Sequence, residues 1–396
     1  MAADACESAG LTVAKLETKT AKGLRDYLPA EASVKNPVDM IASADAPSYE
    51  KSLRLLIQDK NVDSVIVIFV PPLVTGAQEV ARAILAGASG SKKPVLSCFM
   101  GSHGVPDSLR SLQEGHIPSY AFPEAAARTL ARAVSYGTWR GKPPGKVPAI
   151  DGVQTDRARE IISRSLEGAK PGDPRWMNPE HVQELFRAYG IPTNAARPAT
   201  NRGEAASVAK SVGFPVALKV RSPGVVHKTD VSGVRLDLRS EEEAARAFDE
   251  IRVALARANP GAKFEGVSIE RMIRGGIETI VGMTRDPLFG PVVLFGLGGV
   301  TVELLHDVSL RVAPLTDRDA EEMVREIRGY PLLDGYRGAP KANLVSVLDL
   351  LHRVSLLTTE QEEILELDLN PVVVFAEERP CVALDARVRV ARGRSA

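Results

Sequence analysis

The first third of the chain alternates apolar runs of strand length with amphipathic stretches of helical period. The clearest runs are SVIVIFV (64–70) and PVLSCFM (94–100), which are almost continuously apolar. Strands buried on both faces of a parallel sheet have this composition, and each run is followed by a Gly/Pro loop and a helical segment. IPSYAF (117–122) then leads through Pro123, a favourable first helical residue, into another helix. The pattern predicts a flavodoxin-like α/β domain over residues 1–137.

A proline-rich stretch without period (137–152) follows and is typical of a linker. We expect a linker containing one helix over 138–174 and a second domain over 175–396. In that second domain the helical and strand patterns are mixed, which favours an α+β fold. The predicted strands are 214–220, 266–273, 278–284 and 290–296, and the clearest helix is 241–258.

The charge balance narrows the classes of partner. The chain has fifty Lys and Arg residues and fifty Asp and Glu residues, so the formal net charge is zero. Nucleic acid and anionic membrane surfaces attract a basic excess that this chain lacks. No apolar run approaches the ~18 residues that span a bilayer, and the first residues do not resemble a signal peptide. The three cysteines, Cys6, Cys98 and Cys381, are too scattered for a disulfide framework. A cytoplasmic protein with reduced thiols is expected.

A candidate metal site lies in ELDLNP, near the C-terminus. Glu366, Asp368 and Asn370 alternate with three leucines, so on a strand the oxygen-bearing side chains share one face. Mg²⁺ prefers oxygen ligands and is commonly held by one or two carboxylates together with nucleotide phosphates. The alternative is a half-exposed amphipathic strand without a ligand.

Two further segments offer cationic and nucleophilic groups. Lys219 ends an apolar strand, where it either reaches water or pairs with an anion. His227 and Lys228 follow in a Pro/Gly loop without a turn-forming anchor, so we expect this loop to move. An imidazole can accept a phosphoryl group near neutral pH while a neighbouring lysine offsets the charge. A solvated surface histidine is the alternative.

The remaining candidates suit a flat heteroaromatic ring and its phosphates. Glu270, Arg271 and Met272 end a strand before two glycines, a setting where backbone groups hydrogen-bond a ring edge and a thioether covers its face. Gly298 and Gly299 follow another apolar strand, where backbone amides could approach phosphate. Neither a dinucleotide-binding fingerprint nor a P-loop is present in the sequence.

Taken in order, these motifs resemble the NDP-forming acyl-CoA synthetases, the ADP-forming acetate–CoA ligase family. The resemblance covers nearly the whole chain and is carried by NPVDMIASA, VDSVIVIFVPPLVT, KPVLSCFMG, FPVALKV, SPGVVHKTDVSGVRL, VSIERMI, RDPLFGPVVLFGLGG, RVAPLT, LLDGYRGAP and ELDLNP. It implies a flavodoxin-like (succinyl-CoA synthetase-like) domain followed by an ATP-grasp domain. ATP or ADP, Mg²⁺ and CoA are the implied cofactors, and a small carboxylate is the implied substrate.

The resemblance also implies roles for individual residues. Lys219 would bind nucleotide phosphate and His227 would relay the phosphoryl group. Asp368 and Asn370 would hold Mg²⁺, with Glu366 as a less certain third ligand. The segment from Glu270 to Met272 would receive the adenine ring.

Family members carry a glycine-rich first strand, a CoA-binding domain and a domain with a further phosphohistidine before the segment that opens this sequence. We therefore expect an N-terminally truncated flavodoxin-like domain with an open sheet edge. Activity is expected only with the missing domains or a CoA-binding partner subunit, in an oligomer. A non-catalytic module that senses nucleotide or acyl-CoA is the alternative. A carboxylate–amine ligase is disfavoured because it needs no histidine in the loop.

Overall fold

The computed structural model describes residues 1–71, 76–100, 105–223, 225, 228, 231–299, 307–376 and 378–392. Its contacts divide the chain into two compact units, Met1–Pro143 and Pro144–Ala396. Within the described ranges, no helix combines the length and the apolar character needed to cross a bilayer.

The first unit is built around a three-stranded parallel sheet in the order β1-β2-β3. Both predicted strands are confirmed, and their register pairs Val65 with Val95 and Phe69 with Phe99. The elements are α1 (Ala2–Ser8), α2 (Thr18–Arg25), α3 (Ala46–Gln58), β1 (Val65–Phe69), α4 (Ala77–Ala88), β2 (Val95–Phe99), α5 (Val105–Glu114), β3 (Ser119–Tyr120) and α6 (Pro123–Gly141).

Side chains alternate between the two faces of this sheet, and each face is covered. Phe69 and Phe99 pack on one face, with ring centroids 5.2 Å apart, in a cluster that includes Ile84 of α4. Leu96 lies on the other face in a cluster with Leu130 of α6. Burial on both faces explains why these strands are continuously apolar, as a doubly wound sheet requires.

The second unit is α+β, as predicted, and contains two antiparallel sheets. The smaller sheet has the order β5-β8-β6-β7, and the larger has the order β11-β10-β9-β12-β14-β4 with β13 beside β12. The strands are β4 (Arg175–Trp176), β5 (Arg197–Ala199), β6 (Val216–Val220), β7 (Val234–Leu238), β8 (Val267–Arg271), β9 (Ile277–Asp286), β10 (Gly290–Leu297), β11 (Val308–Val312), β12 (Ile364–Val374), β13 (Val382–Ala383) and β14 (Ala386–Val390).

Helices cover one face of the smaller sheet. Leu218 and Ile269 pack against Phe248 of α10 in its core. Neighbouring residues along a strand point to opposite faces, so the polar side chains of β6 and β8 are directed away from these helices. The helices of the unit are α7 (Thr155–Ser165), α8 (Pro179–Ala188), α9 (Arg202–Val212), α10 (Glu241–Ala258), α11 (Asp317–Glu326), α12 (Tyr330–Leu333), the short 3₁₀ helix α13 (Tyr336–Gly338) and α14 (Leu344–Glu360).

Arg285 joins the end of α14 to the start of β12. Its guanidinium donates to the carbonyl oxygens of Thr358 (2.7 Å), Gln361 (3.3 Å) and Ile364 (2.9 Å). The last carbonyls of a helix have no partner within the helix, so this arginine satisfies groups that would otherwise need water. Burial lowers the pKa of Arg285. The contact fixes the strand that carries ELDLNP.

Candidate functional site

An ion pair crosses the smaller sheet on the face opposite its helices. Lys219 of β6 lies opposite Ser268 of β8, which makes Glu270 its diagonal neighbour on the same face. The Lys219 Nζ donates to Glu270 Oε2 at 2.9 Å and to the Leu384 carbonyl at 2.6 Å. The two side chains are only 13% and 8% exposed. Glu270, expected at the edge of a ring, thus contacts the predicted phosphate-binding lysine.

Burial raises the pKa of Glu270, and the nearby charge of Asp385 acts in the same direction, while Lys219 and Lys228 oppose both effects. Burial favours the neutral carboxyl, and the cationic neighbours favour the carboxylate. The Asn194 side chain adds a further donor to Glu270 at 3.3 Å. The charge on Glu270 therefore depends on Lys219.

A second ion pair lies beside the first. The Lys228 Nζ contacts Asp385 Oδ1 at 2.8 Å and Oδ2 at 3.0 Å, and Arg387 approaches the same carboxylate at 3.5 Å. Burial pushes the pKa of Asp385 upward, but Lys228 and Lys219 outweigh it, so this pKa lies below its usual range. Because Leu384 precedes Asp385, both lysines converge on the turn between β13 and β14.

The predicted metal-binding strand runs beside this turn. The backbone N–H of Asn370 donates to the Asp385 carbonyl at 3.2 Å. Asp368 pairs in register with Arg387 of β14, and the Glu366 carboxylate lies 3.6 Å from Arg389. Leu367 and Leu369 are buried, as the alternating pattern predicts.

No three histidine, cysteine or acidic side chains converge as metal ligands in the part of the chain that the structure describes. The residues with oxygen-bearing side chains that meet at the turn are Asn370 and Asp385. Such a set suits Mg²⁺ that keeps waters and binds phosphate oxygens as well.

The strand end that carries Arg271 and Met272 opens onto a cleft of about 600 Å³. The Met272 backbone N–H donates to the Pro215 carbonyl at 2.9 Å, which fixes the segment beyond β8. The cleft is lined by Pro215, Arg271, Met272, Ile273, Arg274 and Arg379. Its size and its mixture of apolar and cationic groups suit a flat heteroaromatic ligand with anionic substituents.

The glycine loop differs from the expectation in one respect. The Gly298 N–H donates to the Glu278 carbonyl at 2.7 Å and extends the β9–β10 ladder, so this amide is already engaged. Gly299 has a φ of +69°, and a Cβ there would lie 3.3 Å from the Glu278 carboxylate. Phosphate binding by the Gly298 amide would therefore require this hydrogen bond to break.

The loop that carries the predicted nucleophile is only partly described, and His227 lies outside the described residues. Lys228 is described, and it has a partner that is distant in the chain. Its side chain is held by Asp385, and its carbonyl accepts from the Gly233 N–H at 2.8 Å. An acidic partner distant in the chain supplies the anchor that the local sequence lacks.

Comparisons with known proteins divide the chain into two parts, as the contacts within the structure do. A Ligase-CoA domain model matches residues 1–139, and an ATP-grasp domain model matches residues 169–390. The beta subunit of ADP-forming acetate–CoA ligase I from Pyrococcus furiosus is 44% identical over 232 residues, covering 59% of this chain and 97% of that subunit. The chain belongs to the ADP-forming acetate–CoA ligase family.

Longer members of the acetate–CoA ligase family match both units. ADP-forming acetate–CoA ligase I of Archaeoglobus fulgidus is 41% identical over 375 residues, or 95% of this chain. The chain spans about half of that relative, 53% of its length. A solved structure of acetyl-coenzyme A synthetase 1 from Ca. Korarchaeum cryptofilum, in complex with coenzyme A and Ca-AMPCP, matches 59% of this chain and 100% of its own, with a TM-score of 0.55 and 41% identity.

In this acetate–CoA ligase family member, the two sheets of the second unit bring together residues from three predicted motifs. Lys219 and Glu270 come from the smaller sheet, and Asn370 comes from the larger one. Sequence reasoning missed Asp385, which contacts Lys228 and lies beside Asn370. Its setting, a lone acid in VALDARV, has no local pattern that marks a ligand.

Proposed function

We propose that this chain supplies the nucleotide-binding and phosphoryl-transfer part of an NDP-forming acyl-CoA synthetase. The reaction is acyl-CoA + ADP + phosphate = carboxylate + CoA + ATP. The observation that carries the proposal is the convergence of Lys219 and Lys228 on the turn that presents Asp385, next to Asn370. Relatives named as ligases favour this function over a purely sensory module.

The lysines supply the charge that a polyphosphate requires. Lys219 is now satisfied by Glu270 and by the Leu384 carbonyl. A phosphate carries more charge than either acceptor, and hydrogen bonds between ionised groups are about twice as strong as neutral ones. Nucleotide phosphate would therefore compete with Glu270 for the Lys219 ammonium.

Asp385, Asp368 and Asn370 are the side chains we assign to a divalent cation, with Glu366 as a further carboxylate. Magnesium there would neutralise charge on the phosphates during transfer. The pKa of Asp385 lies below its usual range, so this carboxylate is ionised at neutral pH. Lys228 would have to release Asp385 when the cation binds, because both use the same oxygens.

We assign the phosphoryl relay to His227, beside Lys228. An imidazole nitrogen would bond to the γ-phosphorus of ATP as the bond to the β-γ bridging oxygen breaks, leaving ADP and a phosphohistidine. The reverse step forms ATP. Lys228 would offset the charge that the phosphoryl group brings to the loop.

The remaining chemistry needs CoA and a carboxylate. We propose that a CoA-binding subunit or segment with its own phosphohistidine completes the reaction with this chain in an oligomer. The name of the Pyrococcus relative, a beta subunit, and the CoA in the Korarchaeum complex support this. We also propose the division into residues 1–137, a linker over 138–174 and an ATP-grasp domain over 175–396.

Titration calorimetry with Mg·ADP tests the proposal. Lys219→Met should raise the Kd at least tenfold, because a hydrogen bond to a charged group contributes about 1.5–3 kcal/mol. The matched control is Lys210→Met on α9, whose ammonium pairs with Glu241 and is 69% exposed. Its Kd should equal that of the wild type. Equal affinity in the wild type and in Lys219→Met would contradict the assignment.

A further inference from the structure

The loop between β12 and β13 holds an arginine flat against an aromatic ring. The Arg379 guanidinium carbon lies 3.4 Å from the centroid of the Phe375 ring. Phe375 is 5% exposed, whereas Arg379 is exposed. Guanidinium groups stack on aromatic faces through their planar, weakly hydrated surface. The contact fixes the plane of an otherwise flexible side chain.

A single residue holds the backbone at both ends of this stack. The Asn343 N–H donates to the Phe375 carbonyl at 2.8 Å, and its side-chain amide donates to the Arg379 carbonyl at 3.3 Å. The Asn343 Oδ1 also accepts from the Ser346 N–H at 3.0 Å and caps α14. The stack is therefore tied to a helix terminus.

Arg379 also borders the cleft that contains Met272. Within the described ranges no carboxylate pairs with Arg379, whereas Arg274, in the same lining, is paired with Asp237. Phe375 occupies one face of the Arg379 guanidinium, and no other ring in the described residues lies over it. A planar cation with one free face thus stands beside a cleft that Pro215, Met272 and Ile273 make partly apolar.

We propose that Arg379 is a specificity-determining residue that forms one wall of the nucleobase pocket and stacks on the base that Met272 receives. The proposal rests on the nucleotide binding proposed above and extends it to the choice of base. A purine presents a larger face than a pyrimidine, so the stack favours ADP over CDP. Stacking by itself does not separate adenine from guanine, because both are purines with faces of similar size.

Three ligands and two variants test this assignment by calorimetry. Arg379→Lys keeps the charge but loses the planar guanidinium, so the Kd for Mg·ADP should rise about tenfold. The preference for ADP over CDP should narrow, and the Kd for inorganic tripolyphosphate should stay unchanged. The control Arg325→Lys removes a guanidinium that lies over the Tyr330 ring, outside the lining of the cleft, and it should bind all three ligands as the wild type does.

Unchanged tripolyphosphate binding also shows that Arg379→Lys is folded. If Arg379→Lys bound ADP with wild-type affinity, or lost affinity for ADP and tripolyphosphate equally, this inference would be overturned and the proposed function would stand. Failure of the wild type to bind ADP would overturn the proposed function and this inference with it.

Discussion

Replacing Lys219 with methionine should destabilise the second unit in a way that depends on pH. Methionine keeps much of the apolar stem but leaves the Glu270 carboxylate without its cation. Both side chains of the pair are nearly buried, at 13% and 8% exposure. Breaking a buried pair typically costs about 3–5 kcal/mol, whereas an exposed pair is worth about 0–1 kcal/mol.

Protonation of Glu270 limits this cost. An unfolded glutamate has a pKa near 4.3, so neutralising the folded carboxyl costs at most about 3.7 kcal/mol at pH 7 and about 1 kcal/mol at pH 5. The folded pKa of Glu270 is already raised by burial, and losing Lys219 raises it further. A carboxyl group whose pKa is raised by folding does not reduce the free energy of unfolding below its unfolded pKa. The reduction appears as the pH rises above the unfolded pKa and is complete above the folded pKa. We therefore expect a deficit of about 3 kcal/mol at pH 7 that shrinks by about 2 kcal/mol at pH 5.

Urea unfolding followed by tryptophan fluorescence measures this deficit. The chain has two tryptophans, Trp139 in the first unit and Trp176 in the second. In a Trp139→Phe background the signal comes from the second unit alone. Adding Glu270→Gln to Lys219→Met should recover most of the stability, because a neutral amide replaces the unpaired charge.

A deficit that does not change between pH 7 and pH 5 would refute the assignment of the cost to Glu270. A coupling energy below about 0.5 kcal/mol in the double-mutant cycle would show that the two side chains do not act as a pair.

Three further substitutions test neighbouring features by denaturation. Asp385→Asn should lower stability at pH 7 by about 1–3 kcal/mol, since it leaves Lys228 unpaired. The folded pKa of Asp385 is depressed, so its contribution is present above the unfolded pKa, and the deficit should vanish as the pH falls through the folded value. Arg285→Lys should cost about 1–2 kcal/mol, because an ammonium cannot reach all three carbonyls. Thr316→Ala should cost about 1 kcal/mol through loss of the N-cap of α11.

Long apolar runs made most of the fold predictable. Some patterns fit only one type of element, as in the predicted strands 64–70 and 94–100 and the predicted helix 241–258. The fold has β1, β2 and α10 at these positions. β7 was not predicted, because VRLDL is short, half-exposed and interrupted by charged residues. It forms through pairing with β6, a tertiary contact that overrides the local preference.

The site was predictable as separate motifs but not as contacts. Lys219 and Glu270 were each identified from the ends of apolar strands, yet their pairing depends on the register of β6 with β8. Asp385 was missed because only the pairing of β12 with β14 and the reach of Lys228 give it a role. Register and distant partners are set by the packed fold, so no local pattern in the sequence reports them.

The phosphoryl relay at His227 is the central claim, and labelling with γ-³²P-ATP and Mg²⁺ followed by peptide mapping tests it most directly. The label should be acid-labile and base-stable, should map to the peptide containing His227, and should disappear in His227→Asn. The matched control is His116→Asn in the first unit, where a φ of +59° suits asparagine, and it should label as the wild type does. Label that persists in His227→Asn, or no label even when a relative's CoA-binding subunit is added, would contradict the account.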